Sequence, residues 1–332
     1  MRGAATMARA AIASGVPHAI VVEGERTMAM ARRMVVTAWL AFAAVATTAE
    51  APLPERLVPG LGEIDVPVNR ATARMRIDPA AFSIPILTEA TAKRARLRAG
   101  DVLLQVAVGP ELVRGHTAMA RFGDTPRRAT VAWAPRPYVA GLDGVVGPGG
   151  LAEPVVRFVF QKPLPGERTV TLPMMEQDGP MVSWGGLFAR IDVGGKPMRV
   201  RFDPHHPHTL ATANAGRRLA EAYGGGMEDA RFTTEIAFGI DRPVRRMRLD
   251  QPIAIGPLSI AGLGVRTADI GNAAAIPEAD APSPDPDEIV VVARDKRYDP
   301  ERDRLSLGAD VLRQCSTLVF DKPAHEIRLT CA

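Results

Sequence analysis

One short pattern occurs twice in this chain, with an aspartate at the same place in both copies. The first copy is Met75-Arg76-Ile77-Asp78-Pro79, and the second is Val200-Arg201-Phe202-Asp203-Pro204. In each copy an apolar strand ends at Asp-Pro and leads into a stretch of small, helix-forming residues, over 87–94 and 210–217.

Two later landmarks follow these aspartates in the same order. Gly144 to Leu151 has its counterpart in Leu305 to Leu312. Each run leads into a predicted hairpin, which turns at Lys162-Pro163 in the first copy and at Lys322-Pro323 in the second. Matching landmarks in the same order predict two copies of one domain.

These motifs resemble those of the retropepsin-like and pepsin-like aspartic proteases. In that family a strand ends in Asp-Thr-Gly-Ala-Ser, and a later hydrophobic-hydrophobic-Gly turn precedes a helix. Residues 203–210 lie over the first motif and residues 306–312 over the second, and the resemblance covers about residues 60–332. It implies a mostly β, two-lobed aspartic-protease-like fold, made of duplicated retropepsin-like β-barrel lobes with few short helices.

The resemblance also implies that Asp78 and Asp203 are the catalytic pair. In the family this pair shares a proton and activates one water molecule. The family's threonine is replaced here by Pro79 and Pro204, which have no hydroxyl group and no N–H. Its glycine is replaced by Ala80 in the first copy and by His205 in the second, where a positive φ would carry a steric cost.

Two functions therefore stay open. The first is a degenerate pseudo-protease whose inter-lobe cleft binds a peptide or protein ligand without cutting it. The second is a divergent aspartic endopeptidase, so the sequence leaves undecided whether the chain is an enzyme. Neither function implies a cofactor. In the family a hairpin covers the cleft as a flap; here the candidate is 232–249, with Gly239, Ile240 and Asp241 at its tip.

Three histidines, His205, His206 and His208, follow Asp203 directly. We expect them to line the cleft and to influence the ionisation of Asp203. A metal-dependent site at these histidines is a distant alternative, because imidazole and carboxylate are ligands of divalent metals. No fourth ligand is evident nearby, so no metal is expected.

The composition argues against nucleic-acid binding. The 30 glycines and 29 prolines punctuate runs rich in Val, Ile and Arg, which is typical of β structure with short helices. The net charge of +4 is spread along the chain, so we interpret the arginines as outward faces of strands and expect no nucleic-acid partner. Aromatic residues make up only 5% of the chain, which also disfavours a base-stacking surface.

Domain boundaries follow from the repeat. Residues 50–174 are predicted to form the N-terminal lobe, 175–183 a linker and 184–332 the C-terminal lobe. The spacing from Asp203 to Gly308 exceeds that from Asp78 to Gly147, and an acidic, proline-rich insertion at about 275–304 accounts for the difference.

One segment of this insertion, Glu288 to Val292, looks like the TonB box of outer-membrane receptors. Such an extended strand pairs with the sheet edge of a partner, so β-strand pairing through Glu288–Val292 is one interpretation. The simpler interpretation is an ordinary strand of the second lobe.

The N-terminal residues are interpreted as a processing signal. Residues 1–27 are expected to be an upstream extension and 28–49 a signal peptide, since Ala31-Arg32-Arg33 precedes a short apolar run and small residues. An exported protein, periplasmic or secreted, is expected, and an N-terminal membrane anchor is the alternative.

The two cysteines are predicted to form a disulfide. Cys315 and Cys331 lie eight residues either side of Pro323, so a hairpin turning there places them opposite one another. An exported chain with an even number of cysteines usually pairs them.

Overall fold

Two large β-sheets and three helices make up most of the computed structural model, which describes residues 53–124, 128–176, 185–269, 273–279 and 303–332. The expected mostly β class is confirmed. The strands of the first half are β1 (Glu55–Pro59), β2 (Glu63–Val68), β3 (Ala71–Ile77), β4 (Ile86–Thr88), β5 (Leu103–Val108), β6 (Glu111–Arg121), β7 (Arg128–Ala134), β8 (Gly144–Val146), β9 (Val155–Val159) and β10 (Arg168–Glu176). Those of the second half are β11 (Leu187–Val193), β12 (Lys196–Phe202), β13 (Leu210–Ala211), β14 (Gly226–Ala237), β15 (Ile240–Ile255), β16 (Leu258–Arg266), β17 (Arg304–Leu307), β18 (Cys315–Asp321) and β19 (Glu326–Cys331). The helices are α1 (Glu89–Arg94), α2 (Ala213–Tyr223) and α3 (Ala309–Leu312), with short 3₁₀ turns at Pro148–Gly150 and Ala273–Ala275.

Two groups of seven strands have the same order of pairing. The first seven-strand unit is a sheet of its own, in the order β2-β3-β8-β4-β7-β6-β5. The second seven-strand unit forms one end of the other sheet, in the order β11-β12-β17-β13-β16-β15-β14. In both, the strand that precedes the aspartate runs parallel to the strand of the later glycine turn, β3 to β8 and β12 to β17. The repeated sequence therefore corresponds to a repeated topology.

Five further strands connect the two units, in the order β1-β9-β18-β19-β10. The sequence correctly predicted the β18–β19 hairpin, but the hairpin expected between β9 and β10 is wrong. The β18–β19 hairpin inserts between these two strands, so that they do not pair. A loop over residues 160–167 is long enough for this, because crossing two strands requires roughly 14 Å and eight extended residues span about 26 Å. β10 then pairs with β11 and leads from the first unit to the second.

Local sequence explains where the helices begin and end. α1 starts at an N-cap, since the Thr91 amide donates to the Thr88 hydroxyl at 3.2 Å. α1 ends at Arg94, and two residues later Arg96 adopts a positive φ of 51°, which a helix does not allow. α2 ends at Tyr223 and is followed by Gly224, whose positive φ also stops the helix.

The apolar core is continuous across the two units and the connecting strands. Phe320 of β18 contacts Phe158 of β9 and Phe202 of β12, with ring centroids 5.8 and 6.4 Å apart. Residues 51–332 accordingly form one compact unit. The predicted disulfide between Cys315 and Cys331 is confirmed, and it joins β18 to β19 near the C-terminus.

Several sequence predictions fall outside the described residues. These are the upstream extension over 1–27, the signal peptide over 28–49, most of the 175–183 linker, most of the insertion and the Glu288–Val292 segment. Residues 175 and 176 belong to β10 and pair with β11 rather than forming a loop. In the part of the chain that is described, no helix has the length and apolar character needed to cross a membrane.

Candidate functional site

The two repeated aspartates occupy equivalent positions at the ends of β3 and β12. The Asp78 amide donates to the Val146 carbonyl at 3.0 Å, and the Asp203 amide donates to the Leu307 carbonyl at 2.8 Å. Each aspartate is thus held by the last residue of the neighbouring parallel strand. The repeated topology places both aspartates by the same backbone contact.

A glycine directly follows each of the two neighbouring parallel strands, Gly147 after β8 and Gly308 after β17. Each glycine lets two chain segments approach closely. A Cβ at Gly147 would lie 2.3 Å from the Ala81 carbonyl oxygen, and a Cβ at Gly308 would lie 2.3 Å from the His208 carbonyl carbon. Distances this short exclude any side chain. At both glycine turns of the repeat, the backbone therefore packs directly against the loop that follows the aspartate.

Asp78 and Asp203 lie close enough to interact electrostatically. Burial is the main cause that raises the pKa of Asp78 from its usual 3.8 to about 7, and the charge of Asp203 raises it further. The Ala80 amide, which donates to Asp78 Oδ1 at 2.7 Å, and the charge of Arg201 act in the opposite direction. Asp78 can therefore hold a proton near neutral pH.

Arg201 and Tyr138 lie beside this pair, although the sequence did not single them out. The Arg201 guanidinium is 3.5 Å from the Asp203 carboxylate and 3.5 Å from the Tyr138 hydroxyl. Burial raises the pKa of Tyr138, so the phenol stays protonated. Arg201 lies on β12, two residues before Asp203, which directly follows the strand, and this period-2 spacing was the signal that could have identified Arg201.

A cavity of about 320 Å³ opens next to the site, between the two units. The first unit contributes Phe82, residues 105–109 of the β5–β6 hairpin and Tyr138. The second contributes the remaining lining residues, Phe188, Arg199, Arg201, Thr212, Ile236, Ala237, Arg266, Asp269 and Arg304. A smaller recess of about 20 Å³ shares several of these residues and extends to Asp203 and His206.

The arginines of this cavity correct the interpretation that arginines lie on outward strand faces. Arg199 and Arg266 are only 7% and 8% exposed. They occupy inward positions of β12 and β16, because strand residues alternate between the two faces and a period-2 pattern alone does not say which face is inward.

The three histidines lie close to Asp203 but do not converge on one point. Burial is the main cause that lowers the pKa of His205 to about 4, and the charge of Arg76 lowers it further. His206 Nδ1 lies 2.7 Å from the His208 carbonyl oxygen, and Nε2 lies 3.0 Å from the Thr234 hydroxyl. The His208 ring packs on Phe232, at a centroid distance of 4.8 Å. Of the three, only His206 lines the recess.

The predicted flap hairpin exists, but its tip is displaced from the expected position. β14 and β15 turn at Phe238–Gly239, which both have positive φ, so Ile240 and Asp241 belong to β15. Phe238 and Ile240 are buried against the first unit, and the Phe238 ring lies 4.8 Å from that of Tyr138. Asp241 is exposed, and the cavity is lined by Ile236 and Ala237 rather than by Gly239, Ile240 and Asp241.

A second hairpin, β5–β6, also closes the cavity. A Cβ at Gly109, at its tip, would lie 2.7 Å from Asp269 and 2.9 Å from Arg242, both in the second unit. Glu111 lies 3.8 Å from Arg242 across the same junction. Both units therefore contribute a hairpin that reaches the other.

Within the described ranges, no three or more His, Cys, Asp or Glu side chains group as metal ligands. The geometry thus offers no support for a metal-dependent site at His205, His206 and His208. No protein-family model matches the chain, and no curated protein matches it.

Proposed function

We propose that this protein has a two-lobed aspartic-protease-like architecture and binds a peptide segment between its lobes without cutting it. The lobes would be the two seven-strand units, whose identical strand order supports a duplicated origin. The matching backbone contacts of Asp78 and Asp203, and the glycines packed beneath them, support the resemblance to the family's paired aspartate loops.

The contact between Arg201 and Asp203 is the observation that most favours binding over cleavage. Activation of water requires an ionised carboxylate that is free to accept a proton. The Arg201 guanidinium, 3.5 Å from Asp203, engages this carboxylate in an ion pair and so leaves it less available to accept a proton from water. Pro79 and Pro204 also remove the hydroxyl groups that support the carboxylates in the family.

The cavity supports a peptide as the ligand. Residues 105–108 of strand β5, with Gly109 of the following turn, form part of its wall, so backbone groups and the Gln105 side chain are available for hydrogen bonds to an extended chain. Tyr138 and Phe188 add aromatic surface to this wall, on which an apolar side chain of the ligand can pack.

A divergent aspartic endopeptidase is the second candidate, and the raised pKa of Asp78 favours it. A pKa of about 7 beside a second carboxylate is the arrangement in which one group donates a proton while the other accepts one. This candidate predicts cleavage that requires both Asp78 and Asp203.

Incubation with a mixed library of peptides tests the two candidates in one experiment. The proposal expects peptides to be retained by the immobilised protein between pH 4 and 7 with no new peptide termini in mass spectra. New termini that are absent with Asp203→Asn would instead establish the endopeptidase.

A matched pair of variants tests whether binding occurs in the cavity. Gln105→Trp places a large ring in the cavity wall, whereas Leu103→Trp changes the same strand two residues outside the lining. Both positions are exposed, so neither change should disturb the fold. We expect retention to fall with Gln105→Trp only; equal retention by both variants would place peptide binding elsewhere.

Export is part of the proposal. The Cys315–Cys331 disulfide supports it, because disulfides form and persist in oxidising compartments. Cell fractionation of a C-terminally tagged chain would test it, and a chain found only in the cytoplasm would contradict it.

A further inference from the structure

His206 and Thr234 form a hydrogen-bonded pair that the proposed peptide binding does not use. The Nε2 atom of His206 lies 3.0 Å from the Thr234 hydroxyl, and its Nδ1 atom lies 2.7 Å from the His208 carbonyl oxygen. A carbonyl oxygen can only accept, so Nδ1 carries the proton of the neutral ring and donates it to that carbonyl. The His208 amide nitrogen lies 3.1 Å from the same Nδ1, but the shorter contact decides the tautomer. Nε2 is left with a lone pair, which accepts the hydrogen of the Thr234 hydroxyl.

The protein holds this pair in place from both sides. The backbone carbonyl of His206 accepts from the Ala309 amide at 2.7 Å, which fixes the loop that carries the imidazole. The His208 ring of the same loop packs on Phe232, at a centroid distance of 4.8 Å. Phe232 and Thr234 are two residues apart on β14, so both point to the face on which this loop lies. The imidazole and the hydroxyl are therefore preorganised.

A recess and a larger cavity adjoin the pair. His206 lines the recess of about 20 Å³, which has room for about one water molecule. The recess shares Ile236 and Arg304 with the cavity of about 320 Å³, which is large enough for a small ligand. Because the Arg304 guanidinium lines both, its positive charge can stabilise an oxyanion that forms there. Thr234 is only half-buried, so its hydroxyl is not sealed in the core.

We propose that Thr234 and His206 act as nucleophile and general base in the hydrolysis of a small ester. A hydroxyl within hydrogen-bond reach of a base, which is itself oriented by a third group, is the arrangement of enzymes that form a covalent acyl intermediate. The His208 carbonyl is the orienting group here. This activity is separate from peptide binding, because neither Asp78 nor Asp203 takes part in it.

The reaction has two steps. In the first, the Thr234 oxygen forms a bond to the ester carbonyl carbon and its proton passes to Nε2 of His206. The bond from that carbon to the leaving oxygen then breaks, and this oxygen takes the proton from Nε2, which releases an alcohol and leaves an acylated threonine. In the second, a water molecule in the recess attacks the acyl carbon while Nε2 takes its proton. The acyl bond to Thr234 breaks and Nε2 returns the proton to the threonine oxygen, so one ester and one water give one carboxylic acid and one alcohol.

Hydrolysis of p-nitrophenyl acetate by the full chain tests this proposal. Release of p-nitrophenol gives the rate, and mass spectrometry of acid-quenched samples locates the acetyl group. We expect the acetyl group on Thr234 during turnover. Thr234→Val and His206→Gln should each lower kcat/KM by about a hundredfold or more, as expected when a nucleophile or its base is lost. Thr234→Ser keeps a hydroxyl at this position and should retain activity.

Two matched controls account for acetylation of other exposed groups by this reactive ester. Thr233→Val changes the exposed neighbouring threonine of β14, and His325→Gln removes an exposed histidine. Both should stay within about twofold of the wild-type rate, as surface changes away from the reacting groups do.

Three outcomes overturn the proposal. The first is hydrolysis by wild type that is no faster than in buffer alone. The second is an acetyl group found only on residues other than Thr234. The third is a Thr234→Val variant that keeps the wild-type rate. If circular dichroism shows that Thr234→Val is misfolded, the position of the acetyl group in wild type and the rate of His206→Gln decide the question. Peptide retention is measured independently, so either idea can fail without the other.

Discussion

The Arg201 guanidinium of β12 lies 3.5 Å from the carboxylate of Asp203, the residue that directly follows this strand. The same guanidinium reaches Tyr138 of the first seven-strand unit, and its charge lowers the pKa of Asp78. The Arg201 guanidinium pairs with the Asp203 carboxylate, while Asp78 has a pKa raised to about 7. Burial favours this pairing of opposite charges, because an uncompensated buried charge is costly.

The raised pKa of Asp78 predicts that stability falls as the pH rises towards 7. The unfolded chain loses this proton near its usual pKa of 3.8, whereas the folded protein keeps it until about pH 7. Between these values folding takes up a proton, so raising the pH favours the unfolded state. Asp78→Asn cannot ionise, and above pH 7 it should be more stable than wild type by a few kcal/mol at most.

Urea denaturation at pH 5 and pH 8 measures this effect. The advantage of Asp78→Asn should be larger at pH 8 than at pH 5. Asp241→Asn, which changes an exposed aspartate of β15, should behave as wild type at both values. An Asp78→Asn advantage that does not depend on pH would show that Asp78 does not carry the raised pKa.

His205 predicts a pH dependence of opposite sign. Its folded pKa is about 4 against a usual 6.5, so between these values the unfolded chain binds a proton that the folded protein does not. Stability due to this residue is therefore present above pH 6.5 and is lost as the pH falls towards 4. His205→Gln should remove this loss, which we expect to be about 1–2 kcal/mol because the ring is only partly buried.

The measurement for His205 is the slope of unfolding free energy against pH between 4 and 6.5, with His325→Gln as the control. The charged groups that affect the pKa of His205 are Arg76, Asp203 and Glu63. A slope that is unchanged in His205→Gln would mean that another group causes the acid sensitivity.

Gly308→Ala should destabilise the protein because there is no room for a methyl group. Its Cβ would lie 2.3 Å from the His208 carbonyl carbon and 2.8 Å from the Thr209 amide nitrogen, both backbone atoms. We expect a loss of about 2–3 kcal/mol or more, as for overpacking against a rigid neighbour. Gly262→Ala is the control, since its nearest neighbour is 3.4 Å away. Chemical denaturation of the two variants gives the comparison, and equal stability would contradict the close approach beneath the Asp203 loop.

Removal of the Cys315–Cys331 disulfide should lower stability without changing the ligand site. The bond closes a loop with a sequence separation of 16, for which the loss is about 3 kcal/mol on the chain-entropy account. Double substitution to serine, followed by guanidinium denaturation, measures this value. Dithiothreitol should destabilise wild type but not the serine variant; sensitivity of both to the reductant would indicate a different cause.

Several parts of the fold could be predicted from sequence because their causes are local. The β18–β19 hairpin follows from turn residues at Lys322-Pro323. The register of its closing pair, Asp321 with Glu326, would place Ser316 opposite Cys331, and an irregularity between Cys315 and Thr317 brings Cys315 opposite Cys331 instead. The β11–β12 hairpin likewise follows from Gly194-Gly195, both of which adopt positive φ.

The pairing of strands that are distant in the sequence could not be predicted from the sequence. β9 and β10 are close in sequence and were expected to pair, yet β18 and β19 lie between them. Nothing within residues 155–176 encodes that insertion, because its partner strands lie over 140 residues further along the chain. The position of the turn between β14 and β15 also depends on a contact that is distant in the sequence. Phe238 takes a left-handed backbone conformation, which is costly for a bulky residue, and burial of its ring against Tyr138 offsets that cost.

The repeat, and with it the equivalence of Asp78 and Asp203, could be recognised from matching residues in the same order along the chain. The surroundings of these aspartates depend on tertiary packing, since Arg201, Tyr138, Arg266 and Arg304 come from separate strands and loops. Alternation along a strand fixes which side chains share a face, but the packing of the two units decides which face becomes the wall of a cavity.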